Sequence, residues 1–167
     1  MYSILGDGGK GLVQMGVNND PEYSYYMQPL VSRSIYLIGS LRNPAIPEVA
    51  AALRAQGHYV FDDWFAAGPE ADDWWKKYEQ ARGHSYLEAL KGHAAQHVFS
   101  FDKQHLDEAD TSILVLPAGK SCHLEAGYQR GAGKRLFILL DQPDRWDVMY
   151  RFAHGVFDSL EQLMEAL

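Results

Sequence analysis

The chain reads as an α/β fold, a mainly parallel sheet of four to five strands with helices on both faces. Three observations predict it. Four apolar runs, Ser34–Ile38, His58–Phe61, Thr111–Leu116 and Arg135–Leu140, have the β-branched and aromatic make-up of buried strands. Helical stretches lie between successive runs, and parallel strands need such crossovers. Small-residue loops follow several strands, where open α/β sheets place their chemistry. With 167 residues the chain is one domain's worth, long enough to bury a sizeable core.

Each element has its local reason. Ser34-Ile35-Tyr36-Leu37-Ile38 ends at Gly39-Ser40, and Leu41-Arg42-Asn43-Pro44 continues as a loop. Pro47 suits the first turn of a helix, which Val49, Ala52 and Leu53 continue at helical spacing and Gly57 closes. His58–Phe61 is the second strand, with Asp62-Asp63-Trp64 at its carboxyl end. Residues 68–100 are charged and aromatic, and read as a lid-like helical insertion in two pieces broken near Gly83. Asp102–Ala109 reads as a separate short helix. After the third strand, Pro117–Glu125 leads into a helix ending near Gly131–Lys134, and this places Glu125 in the helix's first turn. The fourth strand follows, and Ser159 with Gln162 has capping-box spacing at the start of a last helix. The architecture expected is three-layered, Rossmann-like or flavodoxin-like.

Residues 1–33 stand apart as an N-terminal arm before a domain over 34–167. The string Gly6-Asp7-Gly8-Gly9-Lys10-Gly11 lacks phosphate-loop spacing and reads as a flexible loop. Tyr23-Ser24-Tyr25-Tyr26 gives the arm an aromatic, polar run.

Composition narrows the function. The formal charge of −7 argues against duplex nucleic acid or an anionic membrane surface as the main partner. The single cysteine, Cys122, permits no intrachain disulfide and no CxxC metal site, and reads as a small buried thiol. His93 and His97 have metal-ligand spacing without a third ligand, so a solvated helix face is expected and no metal or cofactor. The N-terminus lacks a signal peptide's basic and apolar runs, and no apolar stretch approaches a membrane span. A cytoplasmic protein is the expectation.

Three loops should converge at the carboxyl ends of the strands. The first offers Gly39, Ser40 and Arg42 to a phosphate or sugar, or is a tight turn with a solvated arginine. The second offers Asp63 and Trp64 to a sugar hydroxyl and a stacked ring, or caps a strand and fills the core. The third offers Gly119, Ser121, His123 and Glu125. A positioned carboxylate can attack an anomeric carbon and form a glycosyl ester, given an acid for the leaving group. The helix N-terminus is expected to keep Glu125 ionised.

These pieces, in this order, resemble the nucleoside 2-deoxyribosyltransferase superfamily, which includes the 2'-deoxynucleoside 5'-monophosphate N-glycosidases. The resemblance covers residues 34–140. Ile35–Arg42 looks like the family's first strand and glycine loop. The Gly39-Ser40-Leu41-Arg42 form is closer to the monophosphate hydrolases, where serine and arginine hold the 5'-phosphate. Asp102 and Asp110 look like the aspartates before the third strand. Glu125-Ala126-Gly127-Tyr128 with Gly133-Lys134 is similar to the family's Glu-x-Gly-Tyr…Gly-Lys signature, whose glutamate is the nucleophile. The resemblance implies attack by Glu125, orientation of Glu125 by the Tyr36 phenol, and protonation of the departing base by Asp102. Gly119-Lys120-Ser121 carries no acid where the transferases place one on the sugar 5'-hydroxyl, which favours an anionic 5' group. It also implies no cofactor and a homodimer or higher homo-oligomer. The alternatives from other classes are a non-catalytic nucleotide-binding or signalling module, and a hydrolase of an NAD-type N-glycoside.

Overall fold

The computed structural model describes residues 32–141 and 146–167. The arm's glycine string and tyrosine run lie outside the described residues. Five strands form one all-parallel sheet in the order β2-β1-β3-β4-β5. They are β1 (Ser34–Ile38), β2 (Tyr59–Phe61), β3 (Thr111–Val115), β4 (Arg135–Leu139) and β5 (Gly155–Phe157). The expected α/β architecture is therefore present, with β5 added. Three residues are too short a run to show a strand's alternation, which is why β5 escapes a reading of the sequence.

The period of two along each strand sorts the core into two faces. Ile35, Leu37, Ile113, Val115, Phe137 and Leu139 point to one face. There they meet Ile46, Val49, Ala50 and Leu53 of α1 (Ile46–Ala55) and Leu163 of α6 (Leu160–Glu165). Tyr36, Ile38, Leu114, Leu136 and Ile138 point to the other. There they meet Leu106 of α4 (His93–Glu108) and Cys122 and Ala126 of α5 (Lys120–Gly131). Tyr36 is thus committed by strand alternation to the face that α4 and α5 cover.

Pro47 lies in the first turn of α1, and Gly57 takes the positive φ that lets the chain leave it. Ser159 caps α6 by accepting the Gln162 N–H.

Two expectations need correction. The insertion forms three helices: α2 (Ala71–Ala81), α3 (Tyr86–Leu90) and α4. Gly83, at positive φ, makes the first break as expected, and Gly92 makes the second as the residue before α4. Asp102–Glu108 is not a separate helix. No glycine or proline interrupts 93–108, so α4 runs unbroken for 16 residues and carries Asp102 within it.

Gly39 sets how closely the first loop approaches α1. A Cβ there would lie 2.4 Å from Cδ1 of fully buried Ile46. Gly39→Ala is expected to destabilise the domain by about 1–3 kcal/mol through overpacking, as measured by urea unfolding.

Candidate active site

The first and third loops are fastened together. The Cys122 thiol donates to the Gly39 carbonyl at 3.1 Å. The Asn43 amide donates to the carbonyls of Val115 and Pro117, each at 3.4 Å. Asn43 is buried, so these bonds satisfy a polar group that would otherwise be costly. The second loop joins through Trp64, whose indole N–H donates to the Leu37 carbonyl at 2.9 Å. Trp64 is partly buried and packs against both core clusters. Its ring is therefore largely a wedge between the sheet and this loop. Asp63 beside it is exposed.

Glu125, Asp102 and Tyr36 gather on the α4/α5 face. Glu125 and Asp102 line one cavity of about 280 Å³ with Phe99, Lys103, Leu106, Leu124 and Tyr128. Both acids are partly buried. Burial, and then the charge of Asp102, push the Glu125 carboxyl up to about 7. Burial raises the Asp102 carboxyl also, against the pull of His105. Burial raises the Tyr36 phenol, and the charges of Glu125, Asp102 and Cys122 raise it further, so it stays a protonated donor. No hydrogen bond joins Tyr36 to Glu125 among the described residues; the coupling seen is electrostatic.

This corrects the expectation for Glu125. It is the sixth residue of α5, one turn beyond the N-terminal N–H groups, where the helix dipole's effect has fallen off. Desolvation and a neighbouring acid outweigh the dipole, and the carboxyl moves up.

An aromatic column supports the floor. Tyr36 stacks on Phe61 at 5.1 Å, and Phe61 stacks on His105 at 3.9 Å. Phe101 meets His105 edge-on at 4.8 Å. His105 thereby stands within reach of Asp102's charge. The pattern of residues does not announce this column, because its members come from three elements distant in sequence.

Other predicted residues fall elsewhere. Asp110 precedes β3, at the opposite end of the sheet from the loops; its carboxylate accepts the Ser34 N–H at 2.9 Å and the Thr111 hydroxyl at 2.6 Å. That position removes it from the crevice and makes it a brace between β1 and β3. His123 is exposed, its Nδ1 donating to the Gly119 carbonyl at 2.7 Å. Its Nε2 lies 3.2 Å from the Tyr150 hydroxyl, and the two rings stack. Ser121 and Gly127 are exposed on α5, and Gly127 has open space beside its Cα. Ser40 accepts the Arg42 N–H at 3.2 Å, and Arg42 is exposed. Tyr128, part of the Glu125-Ala126-Gly127-Tyr128 string, also lines the cavity, as do Phe99, Lys103, Leu106 and Leu124, which are not singled out by sequence. Their signal is helical spacing: Phe99, Asp102, Lys103 and Leu106 share one face of α4, as Leu124, Glu125 and Tyr128 share one face of α5. Among the described residues no group of three or more His, Cys, Asp or Glu is placed to hold a metal ion. No helix there is long and apolar enough to cross a membrane.

The fold is similar to that of a solved 2-deoxyribosyltransferase. The 2-deoxyribosyltransferase of Bacillus psychrosaccharolyticus superposes with a TM-score of 0.54 at 21% identity, over 78% of this chain and 89% of that one. The CMP N-glycosidase of Clostridium botulinum aligns at 13% identity with a TM-score of 0.49, over 79% of this chain and 96% of its own. At these identities the likeness is one of fold. No family model matches the chain, and no curated protein matches it in sequence.

The raised Glu125 carboxyl has a consequence for stability. Its folded value lies above the ordinary one, so the folded state binds more protons between about 4.5 and 7. The stability this proton uptake supplies is full below the lower value and lost as pH rises through the upper. Glu125→Gln should therefore stabilise the protein at pH 8 by about 1–3 kcal/mol, and by little at pH 4.5, in denaturant unfolding at the two pH values.

Proposed function

We propose that the protein cleaves the N-glycosidic bond of a (deoxy)nucleoside 5'-monophosphate, or transfers its deoxyribosyl group, through a covalent glycosyl-Glu125 intermediate. The observation that carries this reading is two electrostatically coupled carboxyl groups, Glu125 and Asp102, lining one apolar-walled cavity beside a protonated phenol. Such a pair holds one proton between its two titrations. Asp102 is charged while Glu125 titrates near 7, so the proton rests mainly on Glu125; the reactive form is the tautomer in which it has moved to Asp102, leaving an ionised nucleophile beside an acid.

A Glu125 oxygen attacks C1' of the sugar. The bond from C1' to the base nitrogen breaks, its electron pair stays with the base, and the Asp102 proton is transferred there. The Tyr36 phenol, kept protonated by its surroundings, is the group assigned to orient Glu125 for attack. Water then attacks C1' of the ester, Asp102 takes the water's proton, and Glu125 leaves as a carboxylate. The products are the free base and a sugar phosphate; a second base in place of water gives transfer. Gly39, Ser40 and Arg42 are the groups for the 5'-phosphate, and the apolar wall of Phe99, Leu124 and Tyr128 suits a base ring. Asp63, Gly119, Ser121, His123 and Gly127 remain candidates for outer contacts with the substrate. No cofactor enters this scheme.

A homodimer or larger homo-oligomer in the cytoplasm belongs to the same reading. It is supported by Phe99 and Leu124, apolar side chains that line the cavity and remain 61 and 76% exposed. Light scattering on the full chain should give a mass of at least two subunits.

Glu125→Gln is expected to lower base release by about 10³-fold or more while the protein stays folded. The substrates to compare by chromatography are deoxynucleoside monophosphates, ribonucleotides, nucleosides and NAD. Unchanged release by Glu125→Gln sinks the mechanism. Tight nucleotide binding by calorimetry, with no release over hours, favours the non-catalytic binding reading.

The pH profile is a second test. Activity should be bell-shaped, falling above about 7 as the pair loses its shared proton and falling in acid as the pair takes up a second one. Removing the Asp102 charge should let the Glu125 carboxyl titrate lower. Asp102→Asn should thus replace the bell by a single rise as Glu125 ionises below about 7, with no fall above it, and reduce kcat.

A further inference from the structure

Arg42 already has a partner. One guanidinium nitrogen lies 3.0 Å from a carboxylate oxygen of Asp73, with both side chains more than half exposed. Asp73 belongs to the first turn of α2, where Asp72 also lies and where the helix dipole favours acids. The Arg42 end of the contact is anchored, and α2 is braced within the insertion. The loop bearing Arg42 is fixed by Asn43 and by the Cys122–Gly39 bond. At the far end of α2, buried Glu79 lies 2.6 Å from the His84 ring and 3.6 Å from the Arg82 guanidinium. The insertion therefore delivers a negative charge to the one cation of the Gly39–Asn43 loop.

We propose that Asp73 is a specificity-determining residue that competes with an anionic 5' group for Arg42. This rests on the reading of Arg42 as the phosphate contact. With Asp73 in place the guanidinium is neutralised. A phosphate must displace the carboxylate and then lie beside it, two anions around one cation. A neutral 5'-hydroxyl meets no such repulsion. An exposed ion pair is weak, so phosphate can break it, and the contact biases the choice of substrate without barring either kind. The phosphate gains because it can engage the guanidinium fork at two points, where Asp73 uses one.

The test is calorimetry on the full chain with inorganic phosphate, and on the Glu125→Gln chain with a deoxynucleoside 5'-monophosphate and its matching nucleoside. Asp73→Asn keeps the shape of an exposed side chain and removes its charge. It should tighten inorganic phosphate and the monophosphate by about five- to tenfold and leave the nucleoside within about twofold. The gain should shrink with added salt and vanish when Arg42→Gln is combined with Asp73→Asn. Equal tightening of the nucleoside, or no tightening of either phosphate probe, overturns the proposal. Tighter inorganic phosphate without binding of the monophosphate leaves the competition standing and overturns the nucleotide reading instead.

Discussion

Two carboxyl groups share one partly buried space between α4 and α5, and most of the surrounding structure can be understood from that constraint. Bringing acids together out of water is unfavourable, and a fold tolerates it only where packing elsewhere holds the elements in place. Here the packing is supplied from beneath. Tyr36 points upward because strand alternation fixes it there, and Cys122 and Ala126 are small enough to let α5 lie close over β1 and β3. The thiol-to-carbonyl bond from Cys122 to Gly39 marks how near the approach is.

α4 must be held as firmly as α5, since Asp102 rides on it. Its carboxyl-terminal carbonyls are satisfied from the neighbouring helix and the turn after it. Lys134 donates to the carbonyls of Leu106, at 2.8 Å, and Asp107, and the buried Gln129 amide also donates to Leu106. Cations at a helix C-terminus are favourable there. Tyr128 gives its hydroxyl proton to Asp107 at 2.6 Å and receives Lys103 at 3.0 Å, with the ammonium over its ring. The glycine at 133 takes a positive φ, which turns the chain so that Lys134 can reach back. Tyr128 and Lys134, which accompany Glu125 in its sequence signature, are thus braces. They set the spacing of the two helices that carry the acids.

The strands were legible because buried parallel strands are continuous apolar runs, and their punctuation by Gly39, Gly57 and Gly133 was equally plain. The acids could be picked out one by one. What the sequence hid was balance between opposed effects. A helix N-terminus and a desolvating cavity push Glu125 in opposite directions, and only the helix register, which puts it in the second turn, decides the sign. Asp110 is a different case. It precedes β3, so residue order together with a parallel sheet already puts it at the amino end, away from the crevice. The insertion was hidden for a different reason. Its helices are rich in charge and aromatic residues on several sides, so their breaks depend on Gly83 and Gly92 rather than on a clear apolar stripe.

The insertion also changes what the first loop means. In isolation Gly39-Ser40-Leu41-Arg42 is a basic, glycine-led turn, suited to an anion. With α2 present the same turn is half of a dipole, because Asp73 lies against Arg42. A motif of this kind specifies donors and acceptors, yet its net charge is completed by residues far along the chain. On the reading of Arg42 as an anion contact, an internal carboxylate and an external anion would compete for the same guanidinium. That competition is tuned by how rigidly α2 is held. Glu79, buried and paired with His84, ties the end of α2 to the turn before α3. A loosely held acid would yield to any anion, and a firmly held one would bias which anions the loop accepts.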